Sequence, residues 1–135
     1  MQEYGRILLP VPNKLAVIIL NWRIINMDFK DQPFIPMLFG GDINTYSVAR
    51  AFYEEYQVKT YVFGKFPSGP SYNSNIIEYH ADLKIDTDDV FMKTVRDFAA
   101  AHADKTVLTI GCGDSYVALC SRHKDEMPEN VVAPY

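Results

Sequence analysis

One short pattern occurs twice in this sequence and restricts the folds open to it: an apolar run, a turn of glycines and an acid, then residues with helical spacing. The first copy is Phe34-Ile35-Pro36-Met37-Leu38-Phe39, closed by Gly40-Gly41-Asp42 and followed by apolar Ile43, Tyr46, Ala49, Phe52, Tyr53 and Tyr56. The second is Thr106–Ile110, closed by Gly111-Cys112-Gly113-Asp114 and followed by Tyr116, Val117, Cys120 and His123. A run apolar at nearly every position suits a strand buried on both faces, as in a parallel sheet covered by helices. The stretch after Asp42 carries one apolar stripe with Glu54 and Glu55 off it, the mark of a helix with a single buried face. Asp42 stands where an N-cap belongs.

Between the two copies, Val58–Phe63 reads as a strand, and Gly64-Lys65-Phe66-Pro67-Ser68-Gly69-Pro70 as an exposed loop dense in turn formers. Ile76-Ile77 and then Ala81–Ile85 predict a short third strand. Asp86-Thr87-Asp88-Asp89 places caps and negative charge where a helix begins, and Phe91, Val95, Phe98 and His102 give that helix its stripe. Val131-Val132-Ala133 reads as a last strand. The order βαβ(loop)βαβαβ predicts a Rossmann-like open parallel sheet with helices on both faces. Pro36 is awkward in it, because proline cannot donate to a ladder and favours edges and strand starts.

Residues 1–26 are less regular. They read either as an N-terminal extension ahead of a true start at Met27, or as an edge strand at Leu15–Leu20 added to the sheet; residues 27–135 form the domain. The longest unbroken apolar run in the extension, Leu15–Leu20, is far short of the roughly 18 residues of a membrane span, and no cleavage signal follows it. A soluble, cytoplasmic protein is expected.

Composition narrows the function. In 135 residues, 48% hydrophobic and 13% aromatic side chains supply one core, and 17 acids against 13 bases leave no basic face for nucleic acid. Cys112 and Cys120 match neither a CxxC pair nor a zinc knuckle, which leaves reduced thiols. His80, His102 and His123 lie on separate elements without metal-ligand spacing, so no metal site is expected. Gly111-x-Gly113 lacks the third glycine of a dinucleotide fingerprint, where Tyr116 stands, and Gly64-Lys65-Phe66 is not a P-loop.

In an open parallel sheet, ligands sit outside the carboxyl ends of the strands. The candidate substrate-binding residues are therefore Gly40, Gly41, Asp42 and Asn44 in the first turn, and Gly111, Cys112, Gly113 and Asp114 in the second. Either turn could offer free N–H groups to an anion, or could be only a tight turn with Asp42 and Asp114 as caps. Cys112, beside a helix start, could be a stabilised thiolate or a small residue packed under the loop. Cys120 belongs to the core, and Arg50 reads as a surface ion-pair partner.

The run Gly41-Asp42-Ile43-Asn44-x-Tyr46-x-x-Ala49-Arg50-x-Phe52-x-Glu54-Glu55-Tyr56 resembles the opening of bacterial ATP-grasp carboxylate-amine ligases of the D-aspartate ligase type, some of them described as carbamoyl-phosphate synthase large-subunit-like. Thr109–Val117 and Val131–Tyr135 are similar to that family's second loop and exit strand. The resemblance covers Phe34–Tyr135 and leaves the first 26 residues unmatched. It implies a pre-ATP-grasp domain, non-catalytic alone, whose cleft helps hold a small carboxylate or amine. ATP and magnesium would be cofactors of the full-length enzyme, held by central and C-terminal domains absent from this chain; no cofactor is expected in the chain itself. It also implies an apolar docking face, expected from Tyr135 and the helix Tyr46–Tyr56, and hence a tendency to form homo-oligomers. The rival readings are a stand-alone Rossmann-like module binding a small ligand or a protein, and a thiol enzyme using Cys112.

Overall fold

The computed structural model describes residues 29–135, so the boundary at 26/27 and the strand reading of Leu15–Leu20 lie outside the described residues. Strand β1 (Phe34–Phe39), helix α1 (Ile43–Tyr56), β2 (Thr60–Gly64), β3 (Ile77–Ala81), α2 (Asp88–Ala101), β4 (Thr106–Gly111), α3 (Asp114–His123) and β5 (Val131–Val132) follow in order, with a 3-10 turn at Lys124–Glu126. All the strands pair in parallel, in the spatial order β3-β2-β1-β4-β5. This is the Rossmann-like open sheet that the sequence predicts.

The order explains where the helices lie. From β1 the chain moves outward to β2 and β3, returns to β4 on the other side of β1, and continues to β5. Right-handed crossovers in opposite directions leave helices on opposite faces. Met37 and Phe39 accordingly pack with Phe91, Met92 and Val95 of α2 and Leu119 and Cys120 of α3, while Leu38 and Val62 pack with Ala49 of α1. The two-sided burial of β1 is why its sequence is apolar without alternation. Pro36 is tolerated because pairing with β2 begins only at Met37, whereas pairing with β4 begins at Phe34. Its missing N–H falls where β1 has one neighbour.

Strand β2 is Thr60–Gly64 rather than Val58–Phe63, and two further details differ from the sequence reading. The third strand is Ile77–Ala81: it begins within the expected Ile76-Ile77 pair but ends at Ala81, so the expected continuation over Ala81–Ile85 is not strand. After Ala81 the Asp82 N–H bonds the Gly64 carbonyl, and turns at Asp82–Ile85 and Lys84–Thr87 follow, with Ile85 dropped into the core from a turn. An isolated buried isoleucine looks the same in sequence whichever backbone carries it. In α3, Gly113 occupies the N-cap position and Asp114 is the first helical residue, so Asp114 is not the cap. Asn130 ties the far end together: its Nδ2 donates to the carbonyls of Ala99, His102 and Lys105 at 3.1–3.2 Å, where α2 leaves carbonyls without helical partners.

Candidate functional site

The sheet order reverses between β1 and β4, and their carboxyl ends lie level, with Phe39 opposite Gly111. The two glycine turns therefore meet. Cys112 N–H donates to the Phe39 carbonyl at 2.8 Å, and Gly40 N–H donates to the Phe63 carbonyl at 3.0 Å, binding both turns to the sheet. Above them opens a cleft of about 510 Å³, lined by Gly40, Gly41, Asp42, Cys112, Gly113, Ser115 and Tyr116, and by Lys65, Phe66, Ser68, Gly69, Pro70 and Tyr79. Its size is that of a small-molecule site.

The first turn is built tightly. Gly40 has φ +144° and its missing Cβ would fall on the Thr45 hydroxyl, so only glycine fits. Asp42 caps α1: its Oδ1 accepts from Asn44 N at 3.0 Å, from Thr45 N at 3.1 Å and from the Thr45 hydroxyl at 3.3 Å. The expected cap is thus present, and one carboxylate oxygen is committed to it. Arg50 pairs with Glu54 on the exposed side of α1 at 2.7 Å, as a surface residue would.

In the second turn, Gly111 is buried beneath the loop and a Cβ there would lie 2.6 Å from Tyr116 C and Val117 N, so it lets α3 close on the sheet. Gly113 meets no such limit, because its φ of 166° is extended backbone and the nearest atom to an added Cβ, in the Tyr116 ring, is 3.8 Å away. Of the sequence candidates, Gly40, Gly41, Asp42, Cys112 and Gly113 line the cleft; Gly111 lies below it, and Asn44 and Asp114 are exposed outside the lining.

Cys112 is half-buried, and its thiol is pushed up to about 11 by burial, with the Asp42 charge adding to the rise and a hydrogen bond from Thr45 opposing it. The helix start does not make a thiolate here, because desolvation outweighs it. A Cys112 nucleophile therefore finds no support, and a small packed residue fits. Alkylation of Cys112 by iodoacetamide is expected to be slow near neutral pH and to climb about tenfold per pH unit toward 11. Reaction as fast as that of a free thiol peptide would contradict this environment. Cys120 is fully buried and does not compete. The raised value also means that the folded state holds the thiol proton more tightly than the unfolded chain does. This contribution to stability is complete below the ordinary value of 9.0 and is lost as pH rises through about 11.

The wall formed by residues 65–70 is what sequence reasoning missed. β2 and β3 are joined without a helix, and the connecting segment folds over the cleft. The Tyr79 hydroxyl donates to the Phe66 carbonyl at 2.7 Å and the Ser71 hydroxyl reaches the Asp42 carbonyl at 3.4 Å. Gly64 is required here, since a Cβ would fall on the Tyr79 hydroxyl and 2.5 Å from the Gly40 carbonyl oxygen. Burial raises the Tyr79 phenol, and raises that of Tyr116 to about 12 with help from the Asp86 charge and from Tyr79. Both are neutral donors at physiological pH.

A second concavity, about 440 Å³, lies on α1 against Val48, Ala51, Phe52 and Tyr56. Ile43 and Tyr56 on the same helix are 60% and 44% exposed. An apolar face on this helix was expected, but Tyr46 and Tyr53 turn inward against the sheet and Tyr135 tucks its hydroxyl under the Gly111 N–H at 2.7 Å. No helix among the described residues is long and apolar enough to cross a membrane.

The chain is 35% identical over 109 residues to D-aspartate ligase of Enterococcus faecium (strain Aus0004), a similarity that covers 78% of this chain and 26% of that protein. It corresponds to one part of a larger ligase and spans about a quarter of the relative it matches. No family model and no solved structure matches the chain.

Proposed function

We propose that this chain is the N-terminal, substrate-site-forming domain of an ATP-dependent ligase that joins a carboxylate to an amine through an acyl phosphate, in the manner of ATP-grasp carboxylate-amine ligases. The observation that carries the proposal is the similarity to D-aspartate ligase over most of this chain. It is supported by an open cleft at the topological switch point, where such a sheet places its ligands. The cleft would hold a small carboxylate or amine, with the glycine turns of β1 and β4 as its floor and the 65–70 segment as its wall. Phosphoryl transfer needs metal-bridged phosphates and lysine clamps. In this reading ATP and magnesium are held by central and C-terminal domains outside this chain, and the chain does not catalyse alone. The uncovered apolar flank of α1, at Val48, Phe52 and Tyr56, suits contact with those domains or, without them, with a second copy of the chain. Free Cys112 and Cys120 fit a reducing cytoplasm.

Calorimetric titration of the purified chain with magnesium-ATP tests the division of labour. No binding heat is expected. Saturable, tight binding of ATP would place the nucleotide site in this chain and remove the ATP-grasp reading.

A further inference from the structure

We infer that Lys65 is the residue by which the cleft selects a ligand carboxylate, and that Asp86 holds it in a displaceable ion pair until that group arrives. The inference rests on the proposed ligase reading and names the recognising residue within it. Among the described residues, Lys65 and Asp42 are the only charged side chains in the cleft lining. They are not equivalent. Asp42 turns one oxygen into the cap of α1, whereas Lys65, following directly on the end of β2, pairs with Asp86, its Nζ lying 3.1 Å from Asp86 Oδ2 and 6.0 Å from the centroid of the Phe66 ring. An ammonium carries three donors, so this pair leaves capacity for a second acceptor.

The pair is also built to exchange. Its side chains are 37% and 34% exposed, so water and salt screen the attraction and little is lost when another carboxylate replaces Asp86. Asp86 is not among the residues that line the cleft, whereas Lys65 is. The wall that presents Lys65 is fixed by the Tyr79 bond to the next residue, Phe66. Phe66, Pro70 and the Tyr116 ring offer apolar surface to the carbon chain of a ligand, and the Tyr116 phenol, kept neutral, does not repel its charge. A neutral ligand would leave the Lys65–Asp86 pair intact and gain no charge interaction.

The test is an NMR titration of the isotope-labelled full chain with succinate, with inorganic phosphate and with the neutral analogue succinamide, repeated on Lys65→Met and Asp86→Asn. Succinate is expected to shift the amide signals of Lys65, Phe66, Ser68 and Gly69 and of Gly113–Tyr116, with phosphate weaker and succinamide without effect. Lys65→Met, which keeps the aliphatic stem, is expected to weaken succinate about tenfold or more. Asp86→Asn is expected to tighten it by about two- to fivefold, since a competitor of surface ion-pair strength is gone. Opposite signs from two partners of one ion pair exclude a merely structural role. The inference is overturned if the wild-type chain binds no succinate, if phosphate binds and succinate does not, if Lys65→Met binds as the wild type does, or if Asp86→Asn binds more weakly. None of these outcomes touches the ligase reading, which the ATP titration and domain replacement test separately.

Discussion

Phe39→Ala is expected to lower the unfolding free energy by about 3–5 kcal/mol, near the top of the range for large core truncations. Phe39 is fully buried, with ring centroids of Phe91, Phe63 and Tyr116 at 4.6, 5.7 and 6.3 Å. It joins β1, β2, α2 and α3 in one contact. Relief of the resulting cavity would require those rings to move inward, but β1 is bonded to a parallel neighbour on each side at this position, so its backbone cannot follow. A cavity that does not collapse carries the full penalty. Against a typical total of about 5–15 kcal/mol, the loss is large enough to shift the denaturant midpoint well downward at unchanged slope. Phe66→Ala, at a position 57% exposed, is expected to change the midpoint by less than about 0.5 kcal/mol equivalent. Equal effects from the two substitutions would mean that the core is not centred on β1.

The same residue connects stability with the site. Phe39 is the last residue of β1, its carbonyl accepts from Cys112, and Gly40 begins the cleft floor. A void beneath it would loosen both glycine turns together, so the variant is expected to lose ligand-induced shifts in the cleft as well as stability.

What could be read in the sequence was local. The apolar runs of β1 and β4, the stripe of α2 and the Asp42 cap each depend on residues within a few positions of one another, and each is found where the pattern places it. The parallel sheet followed from their order. Tyr79 was not legible as a cleft residue, because it reaches the cleft only through the pairing of β2 with β3, which brings residues distant in sequence side by side, and Lys65, next to the carboxyl end of β2 where it pairs with β1, lay in a segment read only as turn formers. Gly64 carried a signal, read as a turn former, but its stricter requirement comes from the Tyr79 hydroxyl and the Gly40 carbonyl. The choice between Gly113 and Asp114 as helix cap turned on one residue of register, below what residue preferences distinguish. Cys112 failed as a nucleophile for a reason sequence does not contain: burial of its sulfur decides the matter, and burial is a property of the whole fold.

The most direct measurement is domain replacement. The matching quarter of the Enterococcus faecium D-aspartate ligase would be exchanged for this chain, and D-aspartate-dependent ADP formation followed with hydroxylamine as the amine that attacks the acyl phosphate. That protein without its matching quarter is expected to form no ADP in response to D-aspartate, and the chimera is expected to restore it, with Lys65→Met raising the KM for the carboxylate. A chimera that folds and binds ATP yet shows no D-aspartate-dependent ADP formation would contradict the assignment of this chain as a substrate-site-forming ligase domain.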